Sequence, residues 1–277
     1  MTLEGRVAFI TGAASGIGRA TAVLLAEHGA AIIAADVSDK GLDETLGLLP
    51  KGSKSEKIML DVSDSAAVNA AVAGVEARHG RLDIMANVAG IPFASAEDKR
   101  KVFEEMSLIV ESLRERRPPS RPPEFLHHLT DADFKRMLRV NLYGTFYCMR
   151  AAIPIMTRQG KGAIVNCSSA AAFRGPLSNA HYTTAKAAII ALTRNAATEL
   201  GPRGIRVNAI APGAIDTPMV RDGLMPEFLN MLMQHTPLQR LADPREAAEA
   251  VLFLASDASS YFTGQTLEPN GGIHSGL

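Results

Sequence analysis

Thr11-Gly12-Ala13-Ala14-Ser15-Gly16-Ile17-Gly18 is the stretch whose reading decides the fold. A strand-like apolar run, Arg6–Thr11, leads into it, and a helical stretch leaves it near Gly16 and ends at His28-Gly29. Strand, glycine-rich turn and helix in that order aim free N–H groups and a positive helix end at one spot, where a pyrophosphate can sit. Side chains at the glycines would hold the backbone away from that anion. The next run, Ala30–Asp36, ends on an acid about where such units place the group that hydrogen-bonds a ribose. Asp36 can accept from both ribose hydroxyls and repels a 2′-phosphate, and neither Arg19 nor Lys40 is evidently placed to offset that repulsion. The expected cofactor is NAD, with NADP as the alternative.

Outward from this unit the alternation continues. Lys57–Asp61, Ile84–Asn87, Gly162–Cys167, Arg206–Ala211 and Gln265–Pro269 are further short runs, apolar on both faces as buried parallel strands are. Helical stretches separate them. One starts at Ser63 with Asp64 in its first turn and stops at His79-Gly80. Another runs from Thr130, with Asp133 at the capping-box position, towards Gln159-Gly160, and a third spans roughly Tyr182 to Leu200. A last one opens at Asp243 with Pro244 first and Glu246 three residues after the cap. The pattern predicts an α/β chain with a Rossmann-type, doubly wound parallel sheet of about seven strands and helices on both faces. It shows no break marking a second domain, so residues 1–277 are expected to form one. Asp61-Val62, closing the third run, would lie near the adenine, although Asp61 equally suits a helix N-cap.

One segment departs from the rhythm. Between Ile91 and about Leu129 there is no strand signal. Val102, Phe103, Met106, Val110 and Leu113 fall at helical spacing, and the Pro-Arg run 116–123 can be neither helix nor central strand. An inserted connection this long is either functional or disordered. Left at the carboxyl edge of the fourth strand, its amphipathic part is expected near the substrate cleft, with an oligomer contact or a disordered loop as alternatives.

Composition removes other function classes. In 277 residues, 47% are hydrophobic, enough for a sizeable core, and 29 basic residues balance 29 acidic ones, so no net field gathers nucleic acid. No apolar run is long enough for a membrane span, and Met1–Arg6 does not resemble a signal peptide, so a cytoplasmic location is expected. The cysteines, Cys148 and Cys167, lie in apolar segments and read as reduced buried thiols. The histidines show no ligand spacing, and no metal site is expected.

Ser168-Ser169 follow the fifth run, and Tyr182 and Lys186 are one helical turn apart, on a shared face. A phenol is a poor base at neutral pH. An ammonium beside it, together with a positive nicotinamide ring, favours the phenolate. With these residues the chain resembles the short-chain dehydrogenase/reductase family over nearly its whole length. The family's cofactor loop corresponds to Thr11–Gly18, and its Asn-Asn-Ala-Gly motif is present as Asn87-Val88-Ala89-Gly90. Its catalytic asparagine, serine and Tyr-x-x-x-Lys pair correspond to Asn141, Ser169, Tyr182 and Lys186, and its Pro-Gly motif to Pro212-Gly213.

The resemblance implies an NAD(H)-dependent oxidoreductase that interconverts an alcohol and a ketone. Tyr182 would be general acid/base, Lys186 would hold the nicotinamide ribose and favour the phenolate, Ser169 would orient the substrate oxygen, and Asn141 would help carry a proton relay. Ser169 rather than Ser168 has the family's offset from the tyrosine. The cofactor would lie against Gly12, Ser15, Gly16, Ile17, Gly18, Asp36, Asp61, Val62, Asn87, Ala89, Gly90, Tyr182, Lys186, Pro212, Gly213, Ile215 and Thr217. Val88, Asn270 and the 91–129 insertion depart from the family pattern. The resemblance further implies a homotetramer or homodimer packed through the Asn141 and Tyr182 helices.

The resemblance also implies that the region between Pro218 and Pro237 is a mobile lid over the substrate, and its many Met, Leu and Phe residues suit an apolar one, so a fairly large apolar alcohol or ketone is expected. Phe173 and His181 are candidate cleft residues. An NADP(H)-preferring carbonyl reductase and a non-catalytic dinucleotide-binding scaffold are the alternative functions. A Ser169-dependent hydrolase lacks the Gly-x-Ser-x-Gly elbow its nucleophile would need.

Overall fold

A computed structural model of the chain describes residues 1–173 and 180–273. In chain order the elements are β1 (Val7–Thr11), α1 (Gly16–Glu27), β2 (Ala31–Asp36), α2 (Asp39–Leu48), β3 (Glu56–Met59), α3 (Ser65–His79), β4 (Ile84–Asn87) and α4 (Ala96–Glu115). They continue with α5 (Asp131–Leu138), α6 (Gly144–Gln159), β5 (Gly162–Cys167), α7 (Ala180–Leu200), β6 (Ile205–Ile210), α8 (Pro218–Gly223), α9 (Pro226–Gln234), α10 (Pro244–Ala255) and β7 (Thr266–Leu267). The seven strands form one sheet in the order β3-β2-β1-β4-β5-β6-β7. Every pairing is parallel.

Alternation along β1 shows why both faces are covered. Ala8 and Ile10 enter a core built with α1 and α10, whereas Val7 and Phe9 enter the opposite core, built with α3, α6 and the end of α7. Strand order reverses beside β1, where the connections leave for β2 on one side and β4 on the other. That switch point opens a crevice at the carboxyl ends of the strands.

Each of the seven expected strands forms, within about two residues of its expected ends. Helix α2 was not anticipated, because Gly41 and Gly47 dilute its pattern. Its one local signal is Ser38, whose hydroxyl caps it by accepting the Gly41 N–H. The stretch read as continuous from Thr130 to Gln159 is α5, a π-helical turn at Arg139–Tyr143 and α6. The turn holds Asn141, and just beyond it Gly144 lies hard against Val62. Widened turns of this kind often mark functional positions within helices. Asp64, not Asp61, caps α3, accepting the N–H groups of Ala66 and Ala67. Asp243 and Glu246 form the expected capping box of α10.

The insertion contains no strand and one long helix, α4. Beyond it, Arg121 makes a bidentate pair with the buried Glu105 at 2.5 and 2.9 Å, and Glu105 also accepts the Glu124 N–H. The Arg121 guanidinium holds the Glu105 carboxyl below its ordinary range. Among the described residues, no helix is long and apolar enough to cross a membrane.

Candidate active site

The β1–α1 turn is tied to its neighbours before any ligand is considered. Thr11 Oγ1 accepts the N–H groups of Val88 and Ala89 at 3.1 and 3.2 Å, joining the ends of β1 and β4. A Cβ on Gly18 would overlap the Gly12 carbonyl oxygen, so this glycine is required by the loop itself. The sequence reading ascribed all the glycines to phosphate approach, and the structure gives Gly18 a packing role. Ser15 stands at the N-cap of α1, yet its hydroxyl makes no capping hydrogen bond.

Asp36 ends β2 with each carboxylate oxygen receiving one backbone N–H, from Ala14 and from Ser38, both at 3.1 Å. A carboxylate has roughly four acceptor positions, so acceptor capacity remains. Arg19 is committed elsewhere: its guanidinium donates to Ala14 O, Gly41 O, Thr45 Oγ1 and the Glu44 carboxylate.

A cleft of about 610 Å³ runs along the switch point. Of the residues singled out from sequence, it is lined by Gly12, Ser15, Gly16, Ile17, Gly18, Asp36, Asp61, Val62, Ala89, Gly90, Ser169, Tyr182, Lys186, Pro212, Gly213, Ile215 and Thr217. Asn87 and Asn141 lie just behind the lining. The Asn87 amide donates to Asn166, which donates to Thr193, so the ends of β4 and β5 are joined to α7 through buried polar groups. Asn141 exchanges two hydrogen bonds, each 3.2 Å, with the backbone of Ile91. Gly90 lies between the Asn141 amide and the Lys186 ammonium, where there is no room for a side chain.

Lys186, itself buried, donates to Cys167 O at 2.8 Å, and its Nζ is 5.7 Å from the Tyr182 ring centre. Both serines border the cleft but differ in their commitments. Ser168 is buried and donates to the Lys186 carbonyl at 2.7 Å, which holds α7 against the end of β5. Ser169 is half-buried at the cleft and its hydroxyl accepts the Ala171 N–H. Cys167 also borders the cleft, but burial pushes its thiol up, and burial drives Cys148 to about 12, so neither is poised as a nucleophile.

The far half of the cleft is apolar. Phe93, Val102, Met106, Leu224, Phe228 and Leu232 line it, and α4 meets α9 there around Val102, Met106 and Phe228. Val102 and Met106, from the amphipathic part of the insertion, are among the residues that line it. Periodicity gave the helix its apolar face but not the partner of that face. Neither Phe173 nor His181 lines the cleft. His181 turns away from it and is buried against Asp98. Sequence reasoning also missed Arg136, which borders the cleft one turn before Val140. Its only signal was helical spacing from a residue that was itself not singled out.

Comparison with known proteins agrees with this geometry. Residues 6–112 match the family profile described as short chain dehydrogenase, and residues 121–274 match that described as Enoyl-(Acyl carrier protein) reductase. The chain is similar to the 3-oxoacyl-[acyl-carrier-protein] reductase FabG of Thermotoga maritima, with 37% identity over 99% of both chains. It is also similar to the cis-4-hydroxycyclohexanecarboxylate dehydrogenase of Sinomonas cyclohexanicum, with 38% identity over 96% of both. Among solved structures, levodione reductase superposes with a TM-score of 0.84 at 34% identity, covering 97% of each chain.

Proposed function

We propose that this chain, which belongs to the short-chain dehydrogenase/reductase family, is an NAD(H)-dependent enzyme interconverting a secondary alcohol and a ketone on a fairly large apolar substrate. Members of that family bind a nicotinamide dinucleotide. The observation that carries the reading is that Ser169, Tyr182 and Lys186 line one cleft together with the β1–α1 turn and Asp36.

The residues fit a dinucleotide. Ser15 keeps an uncommitted hydroxyl at the start of α1, beside the first-turn N–H groups that suit a pyrophosphate. Asp36 would accept from the ribose hydroxyls, and with Arg19 committed to Glu44, a 2′-phosphate would meet the carboxylate without that counter-charge. Asp61 and Val62 would border the adenine. Ala89, Gly90, Pro212 and Gly213 would flank the ring end, where Ile215 by its main chain and Thr217 by its side chain would hold the carboxamide. When bound, the nicotinamide ring supplies hydride to the carbonyl carbon or takes it from the carbinol carbon.

The protein's own residues do the remaining work. Ser169 Oγ holds the substrate oxygen, and Tyr182 Oη gives that oxygen a proton on reduction and takes one on oxidation. Lys186 places positive charge beside the phenol, and Asn141 and Asn87 hold the walls in register. The apolar roof of Val102, Met106 and Phe228 excludes water and favours a hydrocarbon body. The buried free thiols suit a reducing, cytoplasmic setting. Tyr143 and Phe146, exposed near the start of α6, support assembly through the Asn141 and Tyr182 helices as a homotetramer or homodimer.

The test is NADH oxidation by purified protein with a panel of substituted cyclohexanones. Wild type should turn over, and Tyr182→Phe should lose roughly 10²–10⁴-fold in rate while still binding NADH. A Tyr182→Phe protein as active as wild type would overturn the reading.

A further inference from the structure

His181 is one of the most buried polar residues of the chain, at 1% exposure, and it immediately precedes Tyr182. Its Nε2 lies 3.0 Å from Asp98 Oδ2, and Asp98 is itself 5% exposed. A carboxylate can only accept, so the ring proton lies on Nε2 and is donated to Asp98. His181 Nδ1 is buried and has no hydrogen-bond partner among the described residues, so the bond to Asp98 is the one that fixes the ring. Asp98 Oδ2 also accepts the Ala94 N–H at 2.8 Å, and the Asp98 N–H is taken by the capping hydroxyl of Ser95. The acid is thereby locked into the first turn of α4.

Successive residues of a helix point about 100° apart, so with Tyr182 facing the cleft, His181 faces away from it. The pair joins the first turn of α7, which carries Tyr182, to the first turn of α4. One turn on from Asp98, that same helix puts Val102 and then Met106 into the roof of the cleft. Two buried polar groups from segments 83 positions apart have no good alternative to each other, since separating them would strand both without water.

We propose that the Asp98–His181 pair is a positioning device that fixes Tyr182 relative to the inserted helix roofing the substrate. His181 is a positioning residue, acting through its neighbour and touching neither substrate nor cofactor. The inference rests on the function proposed above, and it explains why the inserted helix carries a buried acid in its first turn. Charge is not what the pair requires. The amide oxygen of Asp98→Asn can accept the same two bonds, and His181→Gln still offers one N–H.

The experiment compares His181→Leu, His181→Gln, Asp98→Ala and Asp98→Asn with wild type. NADH binding is followed by nicotinamide fluorescence, reduction of 4-tert-butylcyclohexanone by steady-state kinetics, and amide exchange of residues 180–184 by mass spectrometry. His181→Leu and Asp98→Ala should lower kcat roughly 10- to 100-fold, with KM and NADH affinity within about twofold. They should also speed exchange of the α7 first turn roughly tenfold. His181→Gln and Asp98→Asn should restore both readouts to near wild type. Unchanged kcat in His181→Leu, or a loss that Gln does not rescue, overturns the proposal. If wild type reduces no ketone, the functional reading fails separately, and the exchange rates decide the inference: unchanged exchange in His181→Leu then overturns it.

Discussion

The carboxylate of Asp36 accepts the backbone N–H of Ala14 at 3.1 Å, so the acid at the end of β2 is braced by the loop between β1 and α1. Its direction is set before any ribose arrives. Asp36→Ala should therefore weaken NADH binding roughly 10- to 100-fold, the loss of hydrogen bonds to a charged acceptor. NADPH binding should tighten as the repulsion is removed. Fluorescence titration with each nucleotide checks both directions, and a wild type that prefers NADPH would reassign the cofactor while leaving the chemistry of Tyr182 in place.

Met106 is buried at 2% exposure where α4 meets Phe228 of α9, in the apolar half of the cleft. Met106→Gln should raise KM for a bulky apolar ketone about tenfold by setting an unpartnered amide in the roof. NADH affinity should be unchanged, since the roof lies away from Asp36. Equal damage to both constants would mean that the roof does not contact substrate.

Gly18→Ala places a methyl group against the Gly12 carbonyl oxygen, which neighbouring backbone holds in place. The cost should be about 3 kcal/mol, at the upper end of overpacking. Thermal unfolding should then fall by roughly 6 °C or more, with nucleotide affinity falling alongside it. A variant as stable as wild type would show that the loop can relax.

Glu246 receives the Arg240 guanidinium and the Asp243 N–H, which together hold its carboxyl down at about 2, from an ordinary 4.5. The folded value is lowered, so the contribution to stability is present above about pH 4.5 and is lost as pH falls towards 2. Glu246→Gln keeps the capping oxygen and loses the ion pair. The difference in thermal midpoint between wild type and this variant should be small at pH 7, because the pair is exposed, and should close on acidification. A gap that widens at low pH would contradict the assignment.

Local information was legible where a residue's role depends on its near neighbours. The Thr11–Gly18 turn, the strand runs and the Asp243–Glu246 cap are all written within a few positions, because period, turn chemistry and capping act over one or two turns. The motif spacing was equally local for Tyr182 and Lys186, which share a helix face. Helix α2 escaped for the same reason in reverse: Gly41 and Gly47 dilute its apolar period and leave the Ser38 cap as its one short-range signal.

By itself, then, the sequence determined a doubly wound parallel sheet, a glycine-rich turn between its first strand and first helix, and the Tyr182–Lys186 spacing on one helix face. Only the tertiary structure decided which groups are spent on holding it together. Of the two serines at the cleft, Ser168 donates its hydroxyl to the Lys186 carbonyl, whereas Ser169, among the described residues, only accepts the Ala171 N–H. Asp64 caps α3, which leaves Asp61 at the cleft edge. Gly18 serves the loop, and the apolar face of α4 finds α9. His181, a candidate cleft residue on sequence, is instead a buried partner of Asp98. The physical reason is common to these cases. A side chain's commitment is settled by whichever donor, acceptor or apolar surface the fold brings beside it: within a few positions for Asp64 and Gly18, but 18 positions away for Ser168 and 83 for His181, beyond the reach of any periodicity.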